Sequence, residues 1–424
     1  MGIRRVWACY VVLALAFPAL CGDAVPSAAS QKADKAVAPV KKAQDESRIW
    51  VSPQYFGLVG GDSAYPEFPL VTRGDITSFN GGILGDPGTT VLFDRDSTDF
   101  GIQHGFKLDV GGWLDEGRKW GAEVSGFLIP EVSEKNTFAW DGVNRLAIPY
   151  FNTSNSNPGF PVFLPIGEAM AFFDSGVLPS LRSASVAVSN RQEFWGVGPH
   201  GLLNVHRGDV VGIDAKFGFQ FASLQDEFKF KREFSFGLGF PVLFSDIGAF
   251  ENAAMKSVDS FKGTNRFYGA DLGARFTFKS GQFRAEVAPR LALGAVTQKV
   301  EIRGVSSALD LDTGLVYTYA RGGFWAQDTN IGEHTRTRFG VIPGVDLKFG
   351  VEICKHLDFH AGYSVTYWNS VVRGGQHVSR YINSDKIAIG GLFTPTYPSA
   401  EPSFKWKTTD FLAHGVTAGF TVKF

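Results

Sequence analysis

No run of about 18 consecutive apolar residues occurs anywhere in this chain, which excludes an ordinary transmembrane helix. Cysteine is nearly absent, with only Cys9, Cys21 and Cys354. The first two fall in the N-terminal leader, so Cys354 stands alone in the body, and neither an internal disulfide nor a Cys-based metal cage is expected there. Charge of one sign is also missing. Forty-one Lys and Arg balance 42 Asp and Glu, a net charge of −1 that argues against a nucleic-acid partner. Methionine is scarce at three residues, whereas glycine numbers 50 and phenylalanine 39, a balance suited to strands and turns rather than helices. Mean hydropathy near zero is too polar for a helical membrane protein.

The N-terminus reads as a leader. MGIRR is followed by an apolar core from Val6 to Leu20 and then by small residues, the order of a secretory signal peptide. Cleavage is expected between Ala19 and Ala29, and residues 1–22 are assigned to the signal. Residues 23–48 are rich in Ala, Lys, Ser and Pro and contain no aromatic residue, which predicts a disordered periplasmic tail. Residues 49–424 form the remaining domain.

That domain alternates two kinds of joint. Short polar turns at Asp115–Lys119, His206–Asp209, Lys279–Gln282 and Cys354–His356 join pairs of period-2 segments, as hairpins require. Long irregular stretches, 61–99, 131–185, 222–263, 304–336 and 374–409, separate the pairs. Transmembrane barrels sort their connections this way, with short periplasmic turns and long extracellular loops. The predicted strands are 49–60, 101–114, 120–130, 187–206, 209–221, 264–279, 282–303, 337–353, 357–373 and 410–424. The fold class is therefore all-β, a transmembrane antiparallel up-and-down β-barrel of ten strands. Twelve is the alternative, because 224–236 (LQDEFKFKREFSF) could form an extra strand. Pro343, in the middle of a predicted strand, is expected to force a bulge.

Within each strand one face is apolar and the other polar, as lipid outside and a lumen inside demand. In 264–279, Tyr268, Leu272, Phe276 and Phe278 oppose Asp271, Arg275 and Thr277. The last strand, FLAHGVTAGFTVKF, places Val416, Phe420, Val422 and the terminal Phe424 outward, and these are assigned as the terminal assembly strand. Expected partners are outer-membrane lipid, the barrel-assembly machinery through that C-terminal strand, and small solutes or a surface partner at the loops.

Several stretches resemble the beta-barrel porin family seven of planctomycete-type bacteria. They are PLVTRGDITSFNGGILGDPGTTVLF (69–93), GFKLDVGGWLDEGRKWGAEVSGFLIPE (105–131), DSFKGTNRFYGADLGARFTF (259–278), RFGVIPGVDLKFGVEICKHLDFHAGYSVTYWNSVVRGG (338–375) and TTDFLAHGVTAGFTVKF (408–424). GYSVTYWNSVVRGG is the most specific. HVSRYIN after it, and Leu412 in place of a Trp, depart from the family pattern. The resemblance implies an outer-membrane location and a barrel fold; it supplies no substrate and no catalytic residue.

Ten tilted strands close at a backbone radius of roughly 10 Å, which inward side chains largely fill. Inward acids are Asp109, Glu123, Asp214, Asp271, Glu286, Asp346, Glu352 and Asp358. Inward bases are Lys107, Lys216, Arg275, Arg284, Arg290, Arg338, Lys348 and Lys423. Such charges should pair across neighbouring strands, since unpaired charge away from water is costly. The small inner face of the last strand (Gly415, Thr417, Gly419, Thr421) is the expected wall of any solute path. The apolar stretches Pro149–Val177 and Phe234–Phe250 are expected to fold over or into the barrel mouth.

Two functions follow: a narrow porin-like conduit for small solutes, or a closed structural or surface-interaction barrel with a loop-capped mouth. A remote third is an outer-rim hydrolase using His104, His334, His377 or His414 with Asp99, Glu333 or Asp410. No Gly-x-Ser-x-Gly elbow or His-Glu-x-x-His helix supports it, so no enzyme, catalytic residue, cofactor or metal is predicted. Asp94–Asp96 and Asp310–Asp312 carry too few oxygens for Ca²⁺, and Gly81–Gly88 is a loop rather than a phosphate cradle.

Overall fold

The computed structural model describes residues 48–78, 80–94, 97–153, 167–173, 181–237, 242–244, 248–250, 252–319, 322–387 and 400–424. The leader and the tail up to residue 47 lie outside them, as do Asp96 and parts of both apolar stretches. Ten long strands run in order: β1 (Ile49–Gly60), β2 (Gln103–Trp113), β3 (Trp120–Ala139), β4 (Leu181–Arg207), β5 (Val211–Phe236), β6 (Ala253–Ser280), β7 (Phe283–Asp310), β8 (Gly332–Cys354), β9 (Leu357–Val371) and β10 (Thr409–Lys423). Each pairs antiparallel with the next, and β10 returns to pair with β1. The ring is a closed ten-stranded up-and-down barrel.

The strands of one wall are far longer than a membrane needs. β6 and β7 each have 28 residues, whereas about 9–11 tilted residues cross a bilayer. The reason is visible in β5. From Ile213 to Phe221 the odd positions Ile213, Phe217, Phe219 and Phe221 face outward, against inward Asp214, Lys216 and Gln220. From Leu224 to Phe236 the chemistry inverts with no slip of register against β6: Glu227, Lys229, Lys231 and Glu233 now face outward and Phe228, Phe230, Phe234 and Phe236 inward. Below, the outer solvent is lipid; above, it is water. One strand obeys both, because each face takes whatever its surroundings favour. The segment 224–236 is thus the continuation of β5 and not an extra strand. The stretches 131–185, 222–263 and 304–336 are substantially strand for the same reason.

Pro343 makes no bulge. It stays in register with Leu291 of β7. The N–H of Val341 points toward β9, where it is donated to Asn369 Oδ1 at 2.7 Å. Pro343, two residues on, therefore presents its missing donor to that same side, and pairing of β8 with β9 stops beside it at Gly344–Thr366. The irregularity in this pair lies at Glu352–Cys354 instead. Cys354 is disulfide-bonded, contrary to the expectation of an unpaired thiol.

Because β1, β2, β9 and β10 are short, the wall above the membrane is low on one side. The gap is filled by the chain leaving β1, by the chain leaving β9 and by a small mixed sheet of Val71–Gly74, Thr89–Phe93, Arg145–Asn152, Gly167–Phe173 and Tyr381–Ile382. Tyr65, Leu70, Ile148, Tyr150 and Ile382 from these segments, with Phe324 and Trp325 of the connection between β7 and β8, form one buried core with Val186, Phe228, Phe230, Phe261 and Val300 of the tall wall. Of the two apolar stretches, Pro149–Asn152, Gly167–Phe173 and Phe234–Phe236 belong to this cap.

Candidate functional site

The lumen is layered, beginning at the periplasmic end with charge. Lys107 of β2 reaches Asp346 of β8 at 2.9 Å, and Lys348 of β8 reaches back to Asp109 of β2 at 3.4 Å. Glu123 of β3 is 2% exposed and holds Lys216 of β5 at 2.9 Å and Arg275 of β6 at 2.7 Å. It also accepts from Trp50 Nε1 at 3.3 Å. Arg275 lies 3.6 Å from Glu286. Arg284 and Lys423 share Asp358 at 3.0 and 2.6 Å.

Most of these pairs span the lumen between non-adjacent strands, not between neighbours as expected. In so narrow a barrel long side chains meet opposite walls as readily as adjacent ones. Arg290 donates to Thr366 Oγ1 at 2.8 Å, and Asp214 accepts from Asn204 at 2.6 Å. Glu352 is exposed at the periplasmic rim. Arg338 is exposed near the top of β8, apart from the lumen charges.

Two cavities remain among these groups. One of about 100 Å³ is lined by Lys107, Asp109, Glu123, Lys216, Asp271 and Arg275 among others; one of about 80 Å³ lies nearer the periplasmic mouth beside Arg284, Glu352 and Asp358. Glu286 and Lys348 border both. The last strand contributes little to either. Carbonyls of β1 would lie 2.1 Å and 2.3 Å from a Cβ at Gly415 and Gly419, so its small inner face lets two backbones close up and leaves no path.

Above the charges an apolar layer crosses the lumen. Phe56, Leu58, Ile129, Phe194, Leu224, Phe267, Val296, Ile342, Trp368 and Phe411 are all buried, and this cluster draws on nine of the ten strands. Phe194 meets Phe411 edge-on at 4.9 Å, and Phe267 meets Trp368 at 6.1 Å. Over this floor lies a buried polar layer that sequence reasoning missed. The chain leaving β9 turns inward and crosses to the far wall. There Asn265 of β6 pairs with both backbone groups of Val372 at 2.9 and 2.8 Å. Asp226 of β5 accepts from the Gly374 N–H at 2.6 Å and from the Ser63 hydroxyl, and Arg373 sits 3.6 Å away, held by Gln192 at 2.7 Å. Higher still, Asp259 gathers the N–H groups of Phe324, Trp325 and Ala326 at 3.0–3.2 Å beside Arg232.

These upper carboxylates lie above the membrane belt. Burial pushes both Asp226 and Asp259 up to about 6, partly offset by Arg373 and by the backbone donors respectively. Arg232 is pulled down to about 10 by the same desolvation. The signal for this layer was the VVRGG run itself. A Cβ at Gly374 would stand 2.1 Å from the Phe261 carbonyl oxygen and one at Gly375 2.1 Å from that of Ala64. Gly374 lets the plug lie against the backbone of β6, and Gly375 against that of the chain leaving β1.

The four rim histidines do not meet as one group, although His334 and His377 both stack on the Phe404 ring. His104 bonds Tyr55 at 2.7 Å and His414 bonds Tyr363 at 2.6 Å. His334 stacks on Phe404 at 3.6 Å, and His377 bonds the Arg373 carbonyl at 2.8 Å. Buried His200, in contrast, meets Asp271 at 2.9 Å inside the lumen. Among the described residues no group of three His, Cys, Asp or Glu side chains could hold a metal ion. The Asp310 carboxylate closes its own turn, accepting from Asp312 and Thr313 at 2.9 and 3.1 Å.

The family model for beta barrel porin-7 matches residues 50–424. No curated protein matches the chain. Among solved structures, the outer membrane protease OmpT from Escherichia coli is 11% identical, with 90% of this chain and 98% of that one covered at a TM-score of 0.34. The CymD monoaromatic hydrocarbon channel is 8% identical, with 90% of each covered at a TM-score of 0.20.

Proposed function

The chain belongs to the beta barrel porin-7 family and is an outer-membrane β-barrel, and from that premise we propose that it works as a closed, self-plugged barrel presenting a folded cap to the outside. One observation carries the reading: the apolar floor to which nine of ten strands contribute. Water and ions do not cross a packed layer of Phe, Trp, Leu and Ile side chains, because each would shed its hydration with no polar group to replace it. The salt-bridged charges beneath hold opposite walls together and leave only small pockets on the periplasmic side. The cap, built as a soluble β core on membrane-anchored strands, is the part that can meet a surface partner. The reading contains no catalytic step.

Refolded full-length protein in a planar bilayer is expected to stay silent at voltages that open ordinary porins. Steady conductance steps from protein whose heat-modifiable gel mobility shows it folded would overturn the closed barrel. They would favour the second reading, a narrow conduit, which rests on the family's porin description and on the two cavities of about 100 and 80 Å³ below the floor.

A further inference from the structure

We infer that the free upper edge of β8 is a docking edge for an extended acidic segment of a partner protein, which adds to the sheet as a further strand. Pairing of β8 with β9 ends at Gly344–Thr366, whereas pairing with β7 continues without a register shift up to Gly332. Since the Val341 N–H points to the β9 side, the N–H and C=O groups of Thr335, Thr337 and Phe339 point there too. They have no backbone partner on that side among the described residues. Phe404 and Trp406 lie against the inward side chains of His334 and Arg336 through ring contacts, and no backbone bond joins their segment to β8. Thr335 and Thr337 are exposed on the outer face beside Lys299 and Thr297 of β7, above the apolar belt that ends with Phe339. The edge therefore opens to water on the outer side of the membrane.

The other edge of the tall wall is guarded. Above Leu128, β3 has no β2 beside it, but it bulges between Ile129 and Val132 around Pro130 and exposes Glu131 and Lys135. The Asp99 N–H also crosses it to Glu134 at 3.0 Å. Such devices keep a sheet edge from recruiting strands. Between Gly332 and Ile342, β8 has neither proline nor bulge, and Thr335, Thr337 and Phe339 are good strand formers.

Charge names the occupant. Arg336 and Arg338 face inward, opposite to Phe339, in register with Gln298 and Val296 of β7. Gln298 holds Arg336 Nε at 2.7 Å. Outward Glu333 is matched by Lys299 and Arg303, whereas no ion pair among the described residues includes either arginine. A second copy of β8 pairing antiparallel about Thr337 would set Arg336 opposite Arg338, and like charges so placed repel. A strand with carboxylates at alternate positions instead sets one beside each guanidinium while its backbone continues the ladder. The edge gives the surface-presenting barrel proposed above its class of partner and rests on that reading; conductance tests the barrel and peptide binding tests the edge, so either can fail alone.

The test is fluorescence anisotropy of labelled seven-residue peptides with full-length protein in detergent micelles. One peptide alternates Glu with Val, a second alternates Lys with Val, and a third is the Glu peptide with its valines N-methylated. Opposite Thr335, Thr337 and Phe339 those valines supply the ladder N–H groups, so methylation keeps the charge and removes the pairing. Wild type should bind the Glu peptide at least about tenfold more tightly than the other two. R336Q/R338Q should lose the preference for Glu over Lys, and R336K/R338K should keep it in part, which guards against a folding defect. Thr337→Pro removes only an N–H of the free edge, so it should keep heat-modifiable mobility and lose binding. Equal binding of the Glu and Lys peptides would overturn the acidic partner, and equal binding of the N-methylated peptide would overturn strand pairing. No binding of the Glu peptide by folded wild type would overturn the site.

Discussion

Glu123 and Asp226 are buried carboxylates with opposite prospects. Glu123 serves two cations and an indole, so Glu123→Gln would strand Lys216 and Arg275 in a narrow lumen. Loss of one partner from a buried ion group costs about 3–5 kcal/mol, and the variant should melt earlier on heat-modifiability gels while keeping its β circular dichroism. Asp226 is raised to about 6 from 3.8, so the folded cap binds its proton more tightly than the unfolded chain does. Ionisation then costs roughly 3 kcal/mol at neutral pH, and stability at this site should rise as pH falls from about 7 through 6 toward 4. His377 opposes it: burial holds the ring at about 4, so its contribution is lost as pH drops below its ordinary value of 6.5. Hydrogen exchange at the Gly374 amide, compared between wild type and Asp226→Asn, separates the two. Protection gained on acidification by the wild type should be missing from the variant; an identical pH profile in both would refute the assignment. Gly374→Ala should loosen the plug outright, since its Cβ meets the Phe261 carbonyl oxygen at 2.1 Å.

At the scale of an element, β5 holds the lesson about legibility. Its two halves were both legible as alternating segments, yet the change of phase at Leu224 read as a boundary. A pattern only says which face is apolar; it cannot say whether lipid or a protein core lies against that face. The ten strands, their order and their turns followed from alternation and joint length, because those depend on local geometry. The upper extensions did not, because their apolar side faces inward and so broke the outward pattern. The two environments predict opposite responses to charge. Leu272→Arg on the outer face of β6, 54% exposed in the belt, should cost about 2–4 kcal/mol. Lys231→Arg or Lys231→Gln on the outer face above it should change stability by less than about 0.5 kcal/mol. Denaturant titration in detergent micelles checks both; equal effects would place the water–lipid boundary elsewhere.

For the whole molecule, the closed lumen makes a prediction of its own. Phe194→Ala with Trp368→Ala removes the two rings that meet across the floor from β4 and β9. If the floor is what seals the barrel, this double variant should show conductance steps where the wild type is silent; continued silence from folded variant would move the seal up into the cap. The inward-facing charges were visible in the sequence as polar positions, but their partners were not. Lys107 with Asp346 and Glu123 with Arg275 join residues 239 and 152 apart, an adjacency created only when the sheet curls and closes. By itself, then, the chain determined its alternation, its hairpins, its ten strands and the chemistry of each face, all of which depend on neighbours within a few residues. Only tertiary structure decided which charges meet, that VVRGG crosses the lumen to Asp226 and Asn265, and that the barrel is sealed, because each depends on which walls closure brings face to face.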